Sequence, residues 1–474
     1  VRPVPHDRSV VDSAAARLHA QRAPGTGTPG ARNRRRIVAS AGPLDANALY
    51  SLHVRSIWAF MKSQPASFWL VFIYLFFEYV RPQQIYERLA GPPYVKYAIA
   101  LAVIAFIVEA KPIRFGLPEA MLAVFTGIVL ASSFNALSSD ASFDAIWDYL
   151  GWLVIYLLIA NVVVTEERFL VFMLSFLLYS FKMSQSATHS WAIDGFIFRD
   201  WGVSGTPGWF GNSGEFGIQM CVFLPLVIAF TAVLRDRWAK WKRLFFYAAV
   251  ITAITGIVAS SSRGALFGLA AVALWMLLKS GKKWRSLLVA LVLCAFTYAI
   301  LPEGQKLRLQ NMGDDQTSVT RTLYWHRGLD IMSQYPVLGI GYNNWAQYHR
   351  KNFGYTALPH NIFIQAGAEL GYTGLGAFVL LIGCTFFVNW RTRRAARRLA
   401  DGGKFIVAMA HGLDGALVGY VVSGFFITVL YYPYFWINFA MTVALHRVAT
   451  ASAAGGSVRV IAMRRPPLPV RGTA

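Results

Sequence analysis

Of the chain's 474 residues, 56% are hydrophobic and only 14% carry charge, with a mean hydropathy of +0.44. Soluble domains carry about 25% charged residues, so this composition excludes an ordinary soluble enzyme and describes a polytopic membrane protein. A net charge of +22 would suggest nucleic acid in a soluble chain, but no nucleic-acid-binding motif accompanies it.

Lys and Arg instead gather in short loops and tails, where they orient spans and meet membrane lipids with anionic headgroups. Residues 1–67 form a basic segment, rich in Arg, Ala, Gly and Pro up to about Asp45, with a cluster at Arg32, Arg34, Arg35 and Arg36. That composition cannot bury a core and predicts disorder. The first long apolar run, 68–80, lacks a small-residue cleavage site and reads as a span rather than a signal peptide. Further spans are predicted at 94–108, 117–134, 149–164, 169–181, 216–234, 244–259, 265–278, 287–301, 371–390, 405–429 and 432–445. The fold class is therefore all-α, with about twelve transmembrane helices crossing a hydrocarbon core of about 30 Å. Nine lie in 68–301 and three in 361–449. A polar helical loop, 302–360, separates the two sets, and 450–474 forms a basic tail. Cys221, Cys294 and Cys384 fall in different spans without metal-ligand spacing, so neither a disulfide nor a zinc site is predicted.

The basic loops RDRWAKWKR, KSGKKWR and RTRRAARRLADGGK occur at every second crossing, whereas NALSSDASFDAIWD on the alternate side holds no Lys or Arg. The positive-inside rule then places both termini in the cytoplasm. The loops 182–215 and 302–359 and the tight turn SSSRG converge outside.

Four groups on that outer face carry polar chemistry. Arg263 in SSSRG is costly at membrane depth unless paired or given a ligand. It can snorkel to headgroups, or clamp an anion with help from exposed N–H groups of Gly264 and Ala265. Arg199 lies among Trp201, Trp209 and Phe210, an aromatic belt or a sugar- and phosphate-binding loop, with Lys182 as a further cation at its head. Residues 320–333, with Arg321, Trp325 and Arg327, fit an amphipathic helix ended by Tyr335-Pro336. Arg321 would then fall in the first turn, poorly placed for the helix dipole. His326 and His349 read as surface groups. His360, beside Asn361, is either a structural helix cap or a proton acceptor. Glu369 lies in the following apolar helix and needs a partner, whether a catalytic group or an arginine.

SSSRGALFG, RTLYWHRGLDIMSQYPVLGIGYNNW and PHNIFIQAGAELGYTGLG together resemble the bacterial O-antigen ligase and O-antigen polymerase superfamily, over about 195–445. The N-terminal FWLVFIYLFFEYVRPQ resembles the exosortase-associated putative O-glycosylation ligases. The resemblance implies a metal-independent, inverting membrane glycosyltransferase at the periplasmic face of the inner membrane, with no cofactor. Its donor would be a glycan on undecaprenyl pyrophosphate and its acceptor a sugar hydroxyl of lipid A-core. His360 and Arg263 would be catalytic. Arg199, Arg321, Lys182, Asn361, Trp325 and Glu369 would bind substrate. A polymerase or a protein O-oligosaccharyltransferase would use the same donor. A lipid or polysaccharide transporter is a further alternative, although no internal repeat of the kind transporters use is visible.

Overall fold

A computed structural model describes residues 46–198, 202–279, 316–399 and 403–463, with scattered positions between 284 and 306. Among the described residues every regular element is helical. After two short helices come α1 (Ala66–Tyr79), α2 (Tyr94–Val108), α3 (Leu117–Phe134), α4 (Ser139–Val162), α5 (Glu166–Ile193), α6 (Ser213–Leu234), α7 (Lys240–Ala259) and α8 (Arg263–Lys279). Then follow α9 (Gln316–Gln334), α10 (Trp345–Phe353), α11 (Ile362–Ala396), α12 (Gly403–Gly424) and α13 (Pro433–Met463). Seven helices in the described residues are long and apolar enough to cross a membrane, and α2 is a shorter apolar helix. The described residues are all-helical, and their long apolar helices make this a polytopic membrane protein. Most of the predicted span 287–301, including Cys294, lies outside the described residues.

α6 is the axis of the bundle and packs on α12, α8, α7 and α5. Its close approach to α12 follows from a small-residue stripe. Gly412, Gly415 and Gly419 lie against Ala229, Pro225 and Cys221 of α6, and a Cβ on Gly419 would come within 2.8 Å of the Cys221 carbonyl oxygen. Small residues let helix backbones meet where lipid offers no hydrophobic driving force. Cys221 and Cys384 are free and buried. Several charges inside the bundle are paired. Arg447 of α13 bonds Glu119 at 2.8 Å and the Asn161 side chain at 2.8 Å, and Arg393 pairs with Asp414. An unpaired charge there would carry a large desolvation cost.

Several boundaries differ from expectation. α4 begins at Ser139, so most of NALSSDASFDAIWD is helix rather than loop. α5 runs to Ile193 because its polar second half still buries Met183, Ser184, Ala187 and Trp191. Lys182 therefore sits within a helix and does not head a loop. α13 continues to Met463, through the start of the predicted tail.

α11 is broken at Gly371, where φ is 71° and ψ −175°. The loop 336–341 fills the break. Ile340 N–H donates to the Ala368 carbonyl (2.9 Å), Gly341 N–H to the Glu369 carbonyl (3.1 Å), and Tyr372 N–H to the Pro336 carbonyl (2.8 Å). Non-helical backbone in such a segment persists when neighbouring protein satisfies its polar groups. The expected span began at 371. The structure adds one short helix, 362–370, ahead of it.

Candidate functional site

The loops between alternate helices meet at one end of the bundle. Leu137 N–H bonds the Ile340 carbonyl (2.8 Å), Val203 N–H bonds the Ala259 carbonyl (3.0 Å), and the Trp152 indole N–H bonds the Tyr431 carbonyl (2.9 Å). The segment 425–432, between α12 and α13, ties them together. Its residues 425–429 were expected to be the end of a span, 405–429, and Tyr432 the start of the next, 432–445. Two signals in the sequence marked the connector: Gly424 at a helix end and Pro433 at the next helix start.

Two successive phenylalanines of this connector touch both arginine-bearing helices. Phe425 meets Trp325 edge-on, with ring centroids 5.2 Å apart, and so touches the helix that carries Arg321. Phe426 stacks on Phe267 (5.3 Å) and lies against Gly264, beside Arg263. Two residues on, the Thr428 hydroxyl accepts the His360 backbone N–H at 2.9 Å. Thr428 was not singled out from sequence.

His360 itself has φ 48°, a left-handed conformation that strains a non-glycine residue. It does not cap α11. Asn361 does, its Oδ1 accepting N–H groups from Phe363 (2.8 Å) and Ile364 (3.2 Å). The structural-cap reading of His360 thus passes to its neighbour. The imidazole is half-buried, and burial, then the Arg321 guanidinium, push its pKa down to about 4. The ring is neutral at physiological pH and can accept a proton.

Arg321 lies in the second turn of α9, since that helix starts at Gln316 rather than near Thr320. The expected clash with the helix dipole therefore falls away. The Trp325 indole N–H is buried without an acceptor among the described residues. Arg263 opens α8, but the anion nest expected there is partly occupied. Ala265 N–H is taken by the Ser262 hydroxyl (3.3 Å), and Gly264 is buried against Phe426.

Lys182 lines a separate cleft of about 500 Å³ with Ser186, Ser190, Ser204 and Thr206. Its wall reaches Ala259, next to the SSSRG turn, and Gly202 is pressed against Ser260 so closely that a Cβ would lie 2.2 Å from the Ser260 carbonyl. Arg199 and Trp201 lie outside the described residues.

Glu369 is buried, 1% exposed, and its carboxylate accepts Trp345 N–H (3.1 Å) at the first residue of α10. It holds that helix in place beneath the loop. His349 corrects a second expectation, because it is fully buried rather than a surface group. It packs on Trp345 (5.1 Å) and Tyr324 (5.3 Å), and burial with Arg327 nearby pushes its pKa to about 4. His326 is exposed, as read. Among the described residues no group of three or more His, Cys, Asp or Glu could hold a metal ion.

Residues 248–379 match the family model described as O-antigen ligase. Over that stretch the chain is similar to the O-antigen ligase superfamily. An O-antigen ligase of Pseudomonas aeruginosa is 27% identical over 190 residues, which are 39% of this chain and 45% of that protein. The chain thus spans less than half the length of that curated relative. The matched region contains Arg263, Arg321, Trp325, His360, Asn361 and Glu369, whereas Lys182 and Arg199 precede it.

Proposed function

We propose that this chain transfers a glycan from undecaprenyl pyrophosphate to a sugar hydroxyl of lipid A-core at the periplasmic face of the inner membrane. The observation that carries the reading is the division of labour at the start of α11. Asn361 satisfies the helix end, which leaves a neutral imidazole at His360 beside the cation Arg321. His360 takes the proton of the acceptor hydroxyl as its oxygen attacks the anomeric carbon. The bond from that carbon to the pyrophosphate oxygen breaks, the pyrophosphate leaves with the electron pair, and the configuration inverts. Arg263, with Arg199 and Arg321, holds the charge that develops on the leaving group, as fixed cations do without a metal.

Arg321 links the two halves of this chemistry. In the empty site its charge opposes protonation of His360. A bound pyrophosphate offsets that charge, so the imidazole becomes a stronger base once the donor is seated.

Purified protein supplied with a defined lipid-linked glycan and lipid A-core tests the reading. Transfer is expected to proceed in EDTA and to fall about 10²–10⁴-fold in His360→Gln, with donor affinity unchanged. Because Asn361 is the cap, His360→Gln should fold normally. Asn361→Ala, by contrast, should cost about 1 kcal/mol of stability. Normal turnover in a folded His360→Gln enzyme sinks the mechanism. Transfer only to a growing glycan or to a protein would replace lipid A-core as acceptor.

A further inference from the structure

A second cleft, of about 360 Å³, opens at the same end of the bundle between the loop after α1, the start of α2, the third and fourth turns of α4 and the loop before α6. Apart from Trp209, whose loop was read as an aromatic belt or a sugar- and phosphate-binding loop, neither the expected site residues nor the proposed reaction uses it. Trp147 and Asp148 form its exposed rim, with Trp147 70% exposed, and Trp152 and Trp209 form its wall, their rings 5.6 Å apart.

The floor is an ion pair built at some cost. Arg81 donates to Glu78 at 2.9 Å and to Gln84 at 3.3 Å, yet its backbone sits at φ 49°. Such strain persists only where the surroundings impose it. Gly208 supplies the room, since a Cβ there would lie 1.6 Å from the Arg81 guanidinium. Arg81 also lies over the Trp209 ring, 6.0 Å from its centroid. The Tyr74 hydroxyl and the Gln83 side-chain oxygen line this cleft and are buried without a hydrogen-bond partner among the described residues. Buried polar atoms without partners ordinarily cost about 1–3 kcal/mol each, so a ligand bearing hydroxyl groups would satisfy a standing demand.

We propose that this cleft is a saccharide subsite. Indole faces pack on the apolar faces of sugar rings, while carboxylate, guanidinium and amide groups exchange hydrogen bonds with ring hydroxyls. Arg81 and Lys96 balance Glu78 and Asp148, so the lining carries no net charge and suits an uncharged sugar. The subsite is tied to the His360 region by the connector. Trp152 bonds the Tyr431 carbonyl, Trp209 packs on Tyr432 (4.7 Å), and the Tyr434 hydroxyl bonds the Trp209 carbonyl at 2.7 Å. This inference rests on the reading of the chain as a glycan transferase and adds where that glycan is gripped.

The test is binding of the full chain in detergent to a printed array of bacterial oligosaccharides. Expected is binding to a subset of uncharged glycans, retained by His360→Ala and weakened at least tenfold by Trp147→Ala and by Asp148→Asn. Both of the latter alter exposed side chains, so folding should be unaffected. In the transfer assay Trp147→Ala should raise KM for the glycan substrate about tenfold while leaving kcat near normal. Binding that ignores Trp147→Ala and Asp148→Asn, or no binding at all, overturns the proposal. So does native mass spectrometry in which Trp147→Ala strips bound phosphatidylglycerol and no glycan is held. Cleft-dependent glycan binding by a protein that transfers nothing would keep the subsite and reject the ligase reading.

Discussion

His360, the proton acceptor of the proposed reaction, has its backbone and its ring set by different neighbours. Its backbone is strained and fastened to Thr428, its neighbour Asn361 does the capping, and burial, then Arg321, keep its ring unprotonated. The sequence marked the histidine as a proton acceptor or a cap. It could not decide between them, because adjacent His and Asn both suit a helix start and only φ and hydrogen bonding separate their roles. The pH consequence has a definite sign. The imidazole falls from its usual 6.5 to about 4 in the folded chain, so the unfolded state binds more protons between those values. Its contribution to stability is therefore fully present above pH 6.5 and is lost as pH falls towards 4. Histidine-selective NMR should find a ring titrating near 4 in the free protein. Arg321→Gln should move that titration upward, as should addition of inorganic pyrophosphate to the wild type. A midpoint near 6.5 that ignores both changes would remove Arg321 as the neighbour that sets the base.

At the scale of elements, the junction between α11 and the loop 336–344 is made of glycines for steric reasons. Gly339 and Gly371 adopt positive φ, and their would-be Cβ atoms lie 2.4 Å from the Glu369 carbonyl carbon and 2.3 Å from the Val337 carbonyl oxygen. Backbone meets backbone there, and no side chain fits. The glycines of LGIGYNNW and AELGYTG were legible as a turn and a span start. That they close on each other was not, because the pairing joins segments distant in sequence through main-chain atoms, which carry no residue-type signal. Gly371→Ala should therefore separate the loop from the helix break, costing about 1–3 kcal/mol from backbone strain alone and more from the clash. Gly376, in the same helix with nothing within 4 Å of its would-be Cβ, is the control. Alanine there should stabilise by up to about 1 kcal/mol. Thermal unfolding of the two variants in one detergent makes the comparison, and equal midpoints would mean that the break does not hold the loop.

Across the whole molecule, hydropathy placed the helices well because lipid demands long apolar runs. The expected and observed limits coincide for α2 and α3 and lie close for α1, α6, α7 and α8. It failed where polar residues stay inside protein, as in the second half of α5, and where an aromatic connector, 425–432, reads as apolar as a span. Which end faces outward rests on charge alone. The end holding His360 includes Leu89 and Asn352, and the opposite end includes Asp236 and Arg398, all four exposed. Cys221 and Cys384 are buried and should react little, so a Cys294→Ser background leaves few competing thiols. Single cysteines at the four exposed positions can then be treated with a membrane-impermeant maleimide in cells whose outer membrane alone is permeabilised. Leu89→Cys and Asn352→Cys should label at once. Asp236→Cys and Arg398→Cys should label only after the inner membrane is opened. The reverse pattern would put His360 and both clefts in the cytoplasm, where a donor presented at the periplasmic face could not reach them, and the proposed reaction would have to be abandoned.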